Sequence, residues 1–589
     1  MKIALAMSIM ASMMVLMVGI SVASAQDADA KLSAFFKRYL DETFKLRPLD
    51  ATRLGDHRFD GLLDDISPQA RKAWVEHSRK TLEELPKQVD YDKLSRDGRI
   101  DFEIFELHLR SSIWHAENIR PFELDPRTYN GYINDSVYVP LTQSTLPKET
   151  NIANSIARMK LLPEVIGEAR RSLQNPPAVV TETAIKQNLG SIGFYERDIF
   201  EIAGETPQIE ALKAAAGPLV EALKQYQQFL EKELLPLANG QWRLGRDKFG
   251  EKLRLDLEAE VTPEEVLAEA ESEFTRVQRD MYIIARQLWS RYFPRQAMPP
   301  DDAEGRRYCV EQVLAKIGLE HGKPEDLVPD ARANVASIKK FIAEKDIVRL
   351  PDPDNCLVVE MPEFKRGNST AYCEPAPPLD PQAVSFYAVS PPPKDWDAKR
   401  VETLLEEYNS HMMHILTIHE AYPGHFVQLE YAHRNPSLIR RVLESGVYVE
   451  GWAVYTEQMM LDQGYGGGDL ALRLTQQKFY LRAVANAILD YKMHCTQMTD
   501  DEALKFLVNE AYQSEGEARL KIIRAKQSSC QLSTYFIGRT AMYRLRQQIE
   551  REMGDKFDLG RYHEAVIAPG SVPVKYLPEL VRERLSKPR

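Results

Sequence analysis

Cysteine is scarce in this chain, with five residues in 589, at Cys309, Cys356, Cys373, Cys495 and Cys530. That excludes a small disulfide scaffold, because a chain this long buries enough apolar surface to fold without staples. Cys356 and Cys373 flank a short segment and are the pair placed to bridge it, but the favoured reading is five unpaired thiols. Positive charge is also short. Lys and Arg number 76 against 87 Asp and Glu, a net charge of −11, which argues against a phosphate backbone as partner and removes nucleic acid from the expected ligands. Internal repeats and low-complexity tracts are absent. The hydrophobic share of 44% and charged share of 28% exclude both wholesale disorder and a polytopic membrane protein.

One segment departs from this composition. Lys2, the apolar run from Ile3 to Val22 and Ala23-Ser24-Ala25-Gln26 have the order of a signal peptide, with cleavage expected after Ala25 and no stable membrane insertion afterwards. The protein is therefore expected to be periplasmic or secreted. The competing reading is an uncleaved anchor, which Ser8, Ser12, Gly19 and Ser21 dilute. No cysteine sits near the cleavage site, so nothing here marks a lipoprotein.

The mature chain is expected to be mainly α, a two-lobed helical fold with a small β-sheet. Residues 26–245 form the N-terminal lobe, and 246–589 form a second lobe with the sheet at about 350–395. The first lobe spaces its apolar residues by three and four. Pro218 to Leu235 is expected to be an amphipathic helix, with Pro218 in its first turn and Leu219, Leu223, Tyr226, Leu230 and Leu234 on one face. Thr262-Pro263-Glu264-Glu265 carries a capping box. Leu357 to Met361 and Ala383 to Val389 alternate as strands do, among turn residues.

Five of the twelve histidines, His411, His414, His419, His425 and His433, fall within 23 residues. At their centre stands His419-Glu420-Ala421-Tyr422-Pro423-Gly424-His425. Imidazoles bind zinc, and an adjacent carboxylate can take a proton from activated water. A spacing of six on a regular helix turns the rings about 120° apart and displaces them about 9 Å along the axis, so an undistorted helix cannot bring both to one metal. Pro423-Gly424 supplies a distortion, and a bulge there would swing His425 back toward His419. The alternative is a helix that ends at Tyr422 with two unrelated histidines.

An apolar, aromatic helix over residues 447–457 carries Glu450 and Glu457, seven apart on one face. Buried acids need partners. Glu450, 25 residues after His425, completes with His419 and His425 a two-histidine, one-carboxylate set that leaves a fourth position open for catalysis, placing a zinc site in 419–450. Glu457 then either holds a ligating histidine by hydrogen bond or is an ordinary ion-pair partner.

These residues carry a resemblance. The segment 419–425 with Glu450-Gly451-Trp452-Ala453 is similar to the bacterial family designated domain of unknown function 885. Pro48, Ala51, Leu54 and Gly55 resemble its N-terminal pattern, and Thr534-Tyr535-Phe536-Ile537-Gly538-Arg539 resembles its Ser/Thr-Tyr-x-x-Gly stretch. Tyr562-His563-Glu564-Ala565-Val566 and Gly570-Ser571-Val572-Pro573 also fit. The chain departs where Ser529-Cys530-Gln531 replace the usual Pro-Gly-Gln, which bears on how Tyr535 is presented.

The resemblance implies a helical zinc metallopeptidase related in architecture to thimet oligopeptidase, angiotensin-converting enzyme and thermostable carboxypeptidase. On that reading Zn²⁺ is the cofactor and a peptide the substrate, with Glu420 as general base and Tyr535 as donor to the developing oxyanion, or else a core tyrosine. His494 either lines the cleft or is a satisfied helix histidine. Ser369 to Tyr372 either presents a strand edge to substrate, with Tyr372 in contact, or is a plain turn. Lys365, Arg366, Arg482, Arg539 and Arg546 are candidate anchors for a substrate carboxylate. A zinc hydrolase of another amide or ester and a non-catalytic zinc-binding protein are the alternatives. Residue patterns leave the oligomeric state open.

Overall fold

The computed structural model describes residues 25–258, 261–361, 371–393 and 396–588. Apart from Ala25, the expected leader lies outside the described residues, as do Lys365, Arg366, Ser369 and Thr370. No described helix is long and apolar enough to cross a membrane.

The protein is mainly α-helical with one three-stranded sheet. Local signals set many helix ends. The helix Pro263–Tyr292 (α1) starts at a complete capping box, with the Thr262 hydroxyl accepting from the Glu265 N–H and the Glu265 carboxylate accepting from the Thr262 N–H. Pro218 behaves differently from expectation. The helix runs over Ile209–Gln228 with Pro218 inside it, and continues through a π-helical turn at Phe229–Leu234. Strong helix formers from Glu210 to Ala216 propagate the helix past a proline that removes only one hydrogen bond. The anticipated apolar face from Leu219 to Leu234 is buried.

The strands are Cys356–Glu360 (β1), Ala371–Glu374 (β2) and Ser385–Val389 (β3). β3 lies in the middle, parallel to β1 and antiparallel to β2. β2 is thus an edge strand, which decides between the strand and turn readings of Ala371-Tyr372. The five cysteines are free thiols, and β3 runs between the strands that carry Cys356 and Cys373.

Six further helices build the site: Ser410–Glu420 (α2), His425–His433 (α3), Gly446–Asp462 (α4), Leu470–Cys495 (α5), Glu515–Gln527 (α6) and Gln531–Met553 (α7). α4 packs along α7, and α1 packs along α5. One apolar core joins residues 28–109 to 327–581 and contains α2. A second unites α1, α5 and α6, and a third lies within 49–234.

Candidate metal centre

α2 begins at Asn409, whose side chain accepts from the His411 and Met412 N–H groups. It ends at Glu420. The Ala421 and Tyr422 N–H groups still reach the Thr417 carbonyl, but Pro423 has no N–H to donate. The Gly424 N–H then bonds the Ile418 carbonyl at 3.0 Å, and α3 starts at His425. Only glycine fits at this turn, since a Cβ on Gly424 would stand 1.9 Å from the His419 carbonyl oxygen. The Trp452 indole N–H holds the loop through the Pro423 carbonyl at 2.8 Å.

This break brings the His419 and His425 rings to a centroid separation of 4.7 Å, nearly perpendicular. Donor atoms of His419, Glu420 and His425 all lie within 4.8 Å of one another. From α4, Glu450 Oε2 stands 3.8 Å from His419 Nε2 and 3.6 Å from His425 Nε2. Two turns along, Glu457 Oε1 lies 2.7 Å from His419 Nδ1. That hydrogen bond directs the Nδ1 proton to the carboxylate and turns Nε2 toward Glu450. The other three histidines of the cluster are engaged elsewhere: His411 with Glu320, His414 with Tyr465 and His433 with Glu444.

Glu420 and Glu450 are not equivalent. Glu420 Oε2 accepts from the Cys373 N–H of β2 at 2.9 Å, whereas Glu450 Oε2 is buried with no hydrogen-bond partner among the described residues. An orphaned carboxylate oxygen facing two imidazole nitrogens fits a cation, and the donor set suits zinc. Glu450 is therefore the candidate third ligand, and Glu420 is held to the β2 edge.

Burial dominates the electrostatics. It pushes the Glu420 carboxyl up to about 7, against the opposing pull of His419 and the Cys373 N–H. It also raises Glu450 and Glu457, and it drives His425 well below the usual imidazole range. His419 goes the other way. Burial lowers it, but the hydrogen bond it donates to Glu457 and the charges of Glu420, Glu457 and Glu450 outweigh this and raise it to about 9.

Tyr535 reaches this site through a helix crossing. Gly451 of α4 meets Gly538 of α7, and a Cβ on Gly538 would lie 2.0 Å from the Val447 carbonyl oxygen. Glu450 and Tyr535 lie one residue and three residues from the crossing. The Tyr535 hydroxyl shares the cavity lining with Glu450 and accepts from Arg524 Nη2 at 2.8 Å. Burial raises it to about 12. The departure at Ser529-Cys530-Gln531 leaves the entry to α7 intact, because Cys530 adopts φ +67°, a left-handed value that glycine meets without strain. Asp490 of α5 accepts from the Cys530 N–H and the Ser533 hydroxyl, in place of an N-cap side chain.

A cavity of about 300 Å³ holds His419, Glu420, His425, Glu450, Glu457, Tyr535 and Tyr372 in its lining. His494 is a correction. It points away from the cavity into a buried slot between Trp242 and Phe249, where Nε2 hydrogen-bonds the Ala525 and Ser528 carbonyls. Of the candidate carboxylate anchors, Arg482 lines the cavity. Arg539 is committed to Glu273, Tyr480 and Gln458, and Arg546 to Glu550 and Tyr455. Sequence reasoning missed Lys521 and Arg524 of α6, which also line it. Their spacing from Glu517, four and seven, was the available signal.

Among solved structures, a protein of unknown function from Shewanella oneidensis, described as a candidate lipoprotein, superposes with a TM-score of 0.78 at 29% identity, covering 94% of this chain and 99% of that one. A candidate lipoprotein from Colwellia psychrerythraea gives a TM-score of 0.76 at 18% identity over 95% and 99% of the two chains, a likeness of fold alone. No curated protein matches. The family model for bacterial proteins of unknown function designated DUF885 matches residues 48–581, nearly the whole chain, and the protein belongs to that family.

Proposed function

We propose that this protein is an exported, zinc-dependent hydrolase that cleaves peptide bonds in short peptides. The observation that carries the reading is the convergence of His419 Nε2, His425 Nε2 and the otherwise unpartnered Glu450 Oε2, with Glu420 beside them in one cavity. His419, His425 and Glu450 would hold the cation. When bound, it supplies a Lewis acid that polarises a carbonyl and acidifies water.

The remaining work belongs to the chain. Glu420, oriented by the Cys373 N–H, takes a proton from the attacking water and delivers it to the leaving nitrogen. Glu457 keeps the His419 ring in the tautomer with Nε2 free. Tyr535, its hydroxyl braced by Arg524, donates to the negative charge that develops on the carbonyl oxygen. Ala371, Tyr372 and Cys373 of the edge strand β2 line the same cavity, and an extended peptide can add to such an edge. Export is supported by the apolar leader of residues 1–25 and by the candidate-lipoprotein description of the structural relatives.

Incubation of a defined peptide library with zinc-loaded protein and with its Glu420→Gln variant, read by mass spectrometry, tests this. Cleavage by the wild type alone, with zinc bound to both, is the expected result. Intact peptides after incubation with the zinc-loaded wild type would remove peptide hydrolysis and leave another amide or an ester as substrate.

A further inference from the structure

α6 turns one face to the cavity. Glu517, Lys521 and Arg524 recur at i, i+4 and i+7 on that face, and Arg482 of α5 joins Lys521 and Arg524 in the lining. Three basic side chains thus share the lining, and the carboxylate on the same face of α6 is already engaged. Glu517 Oε2 lies 3.2 Å from Arg482 Nη1, and Glu517 Oε1 accepts from the Tyr408 hydroxyl at 3.0 Å.

Lys521 is 4% exposed. Holding an ammonium in such a place is unfavourable unless an anion joins it. Burial, followed by the neighbouring Arg482 and Arg524 guanidiniums, pushes Lys521 well below the usual lysine range, and an anion entering between these side chains favours the charged ammonium. Arg524 and Lys521 also act on the Glu450 carboxyl. Arg524 further hydrogen-bonds the Tyr535 hydroxyl, so the cations adjoin the Glu450 and Tyr535 side of the site. Glu420, by contrast, is tied to the β2 edge.

Resting on the peptide-hydrolysis reading, we infer that Lys521 and Arg524, backed by Arg482, anchor a carboxylate of the substrate on the Glu450 and Tyr535 side of the metal cradle. A guanidinium and an ammonium converging on one volume are suited to a carboxylate. The cavity, about 300 Å³, bounds the piece of substrate held between metal and anchor to one or two residues. Cleavage is then confined to the neighbourhood of that carboxylate. Its source is either the free C-terminus of a peptide or an acidic side chain.

Isothermal titration calorimetry on the zinc-loaded Glu420→Gln protein, which binds without turnover, separates these. Three ligands are used: N-acetyl-Ala-Ala with a free carboxylate, N-acetyl-Ala-Ala amide, and N-acetyl-Ala-Glu amide. The free acid is expected to bind about 30-fold more tightly than the Ala-Ala amide, as loss of a desolvated charge partner implies. Adding Lys521→Met should collapse the ratio to within about threefold while the Ala-Ala amide affinity stays constant. Arg524→Gln, at the exposed end of the face, should lower it as well and serves as a second variant if Lys521→Met melts early. N-acetyl-Ala-Glu amide matching the free acid would make a side chain the source, and its matching the Ala-Ala amide would make it the chain end.

Equal binding of all three ligands, or a ratio unchanged in both variants, overturns the anchor. Discrimination in binding with no peptide cut by the wild type removes the hydrolysis reading and keeps the anchor. Cleavage with equal binding of acid and amides does the reverse.

Discussion

Gly451 and Gly538 touch backbone to backbone where α4 crosses α7, so that a Cβ on Gly451 would lie 2.4 Å from the Gly538 carbonyl carbon. The crossing sets Glu450 against Tyr535. Gly538→Ala forces the helices apart and is expected to destabilise the protein by about 1–3 kcal/mol, the usual range for overpacking. Urea unfolding measures this, and wild-type stability in the variant would show that the helices can separate without loss.

Glu457 has no solvent exposure and bonds His419 Nδ1 at 2.7 Å. Glu457→Gln keeps the volume but replaces a charged acceptor with a neutral amide. Zinc affinity is expected to fall roughly 10- to 100-fold, as it does when the partner of a ligating histidine is lost. Competition with a chromophoric chelator measures it, and an unchanged affinity would place Glu457 outside the metal site.

Asp490 is fully buried and accepts from the Cys530 N–H and the Ser533 hydroxyl. Asp490→Ala leaves both donors without an acceptor at the start of α7, at a cost of about 1–3 kcal/mol. The same change loosens the turn that leads to Tyr535. Chemical denaturation reports the first effect; on the proposed function, a lower peptide-hydrolysis rate at unaltered zinc content reports the second.

His57 bridges Asp60 at 2.8 Å and Asp380 at 3.0 Å, tying the start of the chain to the loop after β2. The Asp60 hydrogen bond, helped by Asp380 and opposed by burial, raises it to about 8. The protonated form is the one stabilised, so the contribution is complete below the ordinary imidazole value of about 6.5 and is lost as pH rises through about 8. Half-buried, it amounts to on the order of 1 kcal/mol. Urea unfolding at pH 6 and pH 9 should show this decline in the wild type and a smaller one in His57→Gln. Parallel pH dependence in the two proteins would exclude the bridge as its origin.

Some of this protein is determined by short-range physics and is legible in sequence. Thr262 and Glu265 cap α1 as their spacing requires, because a capping box closes within four residues. Pro423 and Gly424 break the helix between His419 and His425 for equally local reasons, a missing N–H and a missing Cβ. That Glu450 and Glu457 share one face of α4 follows from helical periodicity alone.

Tertiary packing decided the rest. His494 sits on a helix as polar and apolar as its neighbours, and only the approach of Trp242, Phe249 and the end of α6 satisfies it away from the cavity. Cys530 takes a glycine conformation because α5 supplies Asp490 to hold the turn. Lys521 and Arg524 look like ordinary surface cations along α6. They become a charged wall of the cavity only because α5 and α7 pack around them, and which helices meet is a long-range outcome that residue spacing within one helix cannot encode.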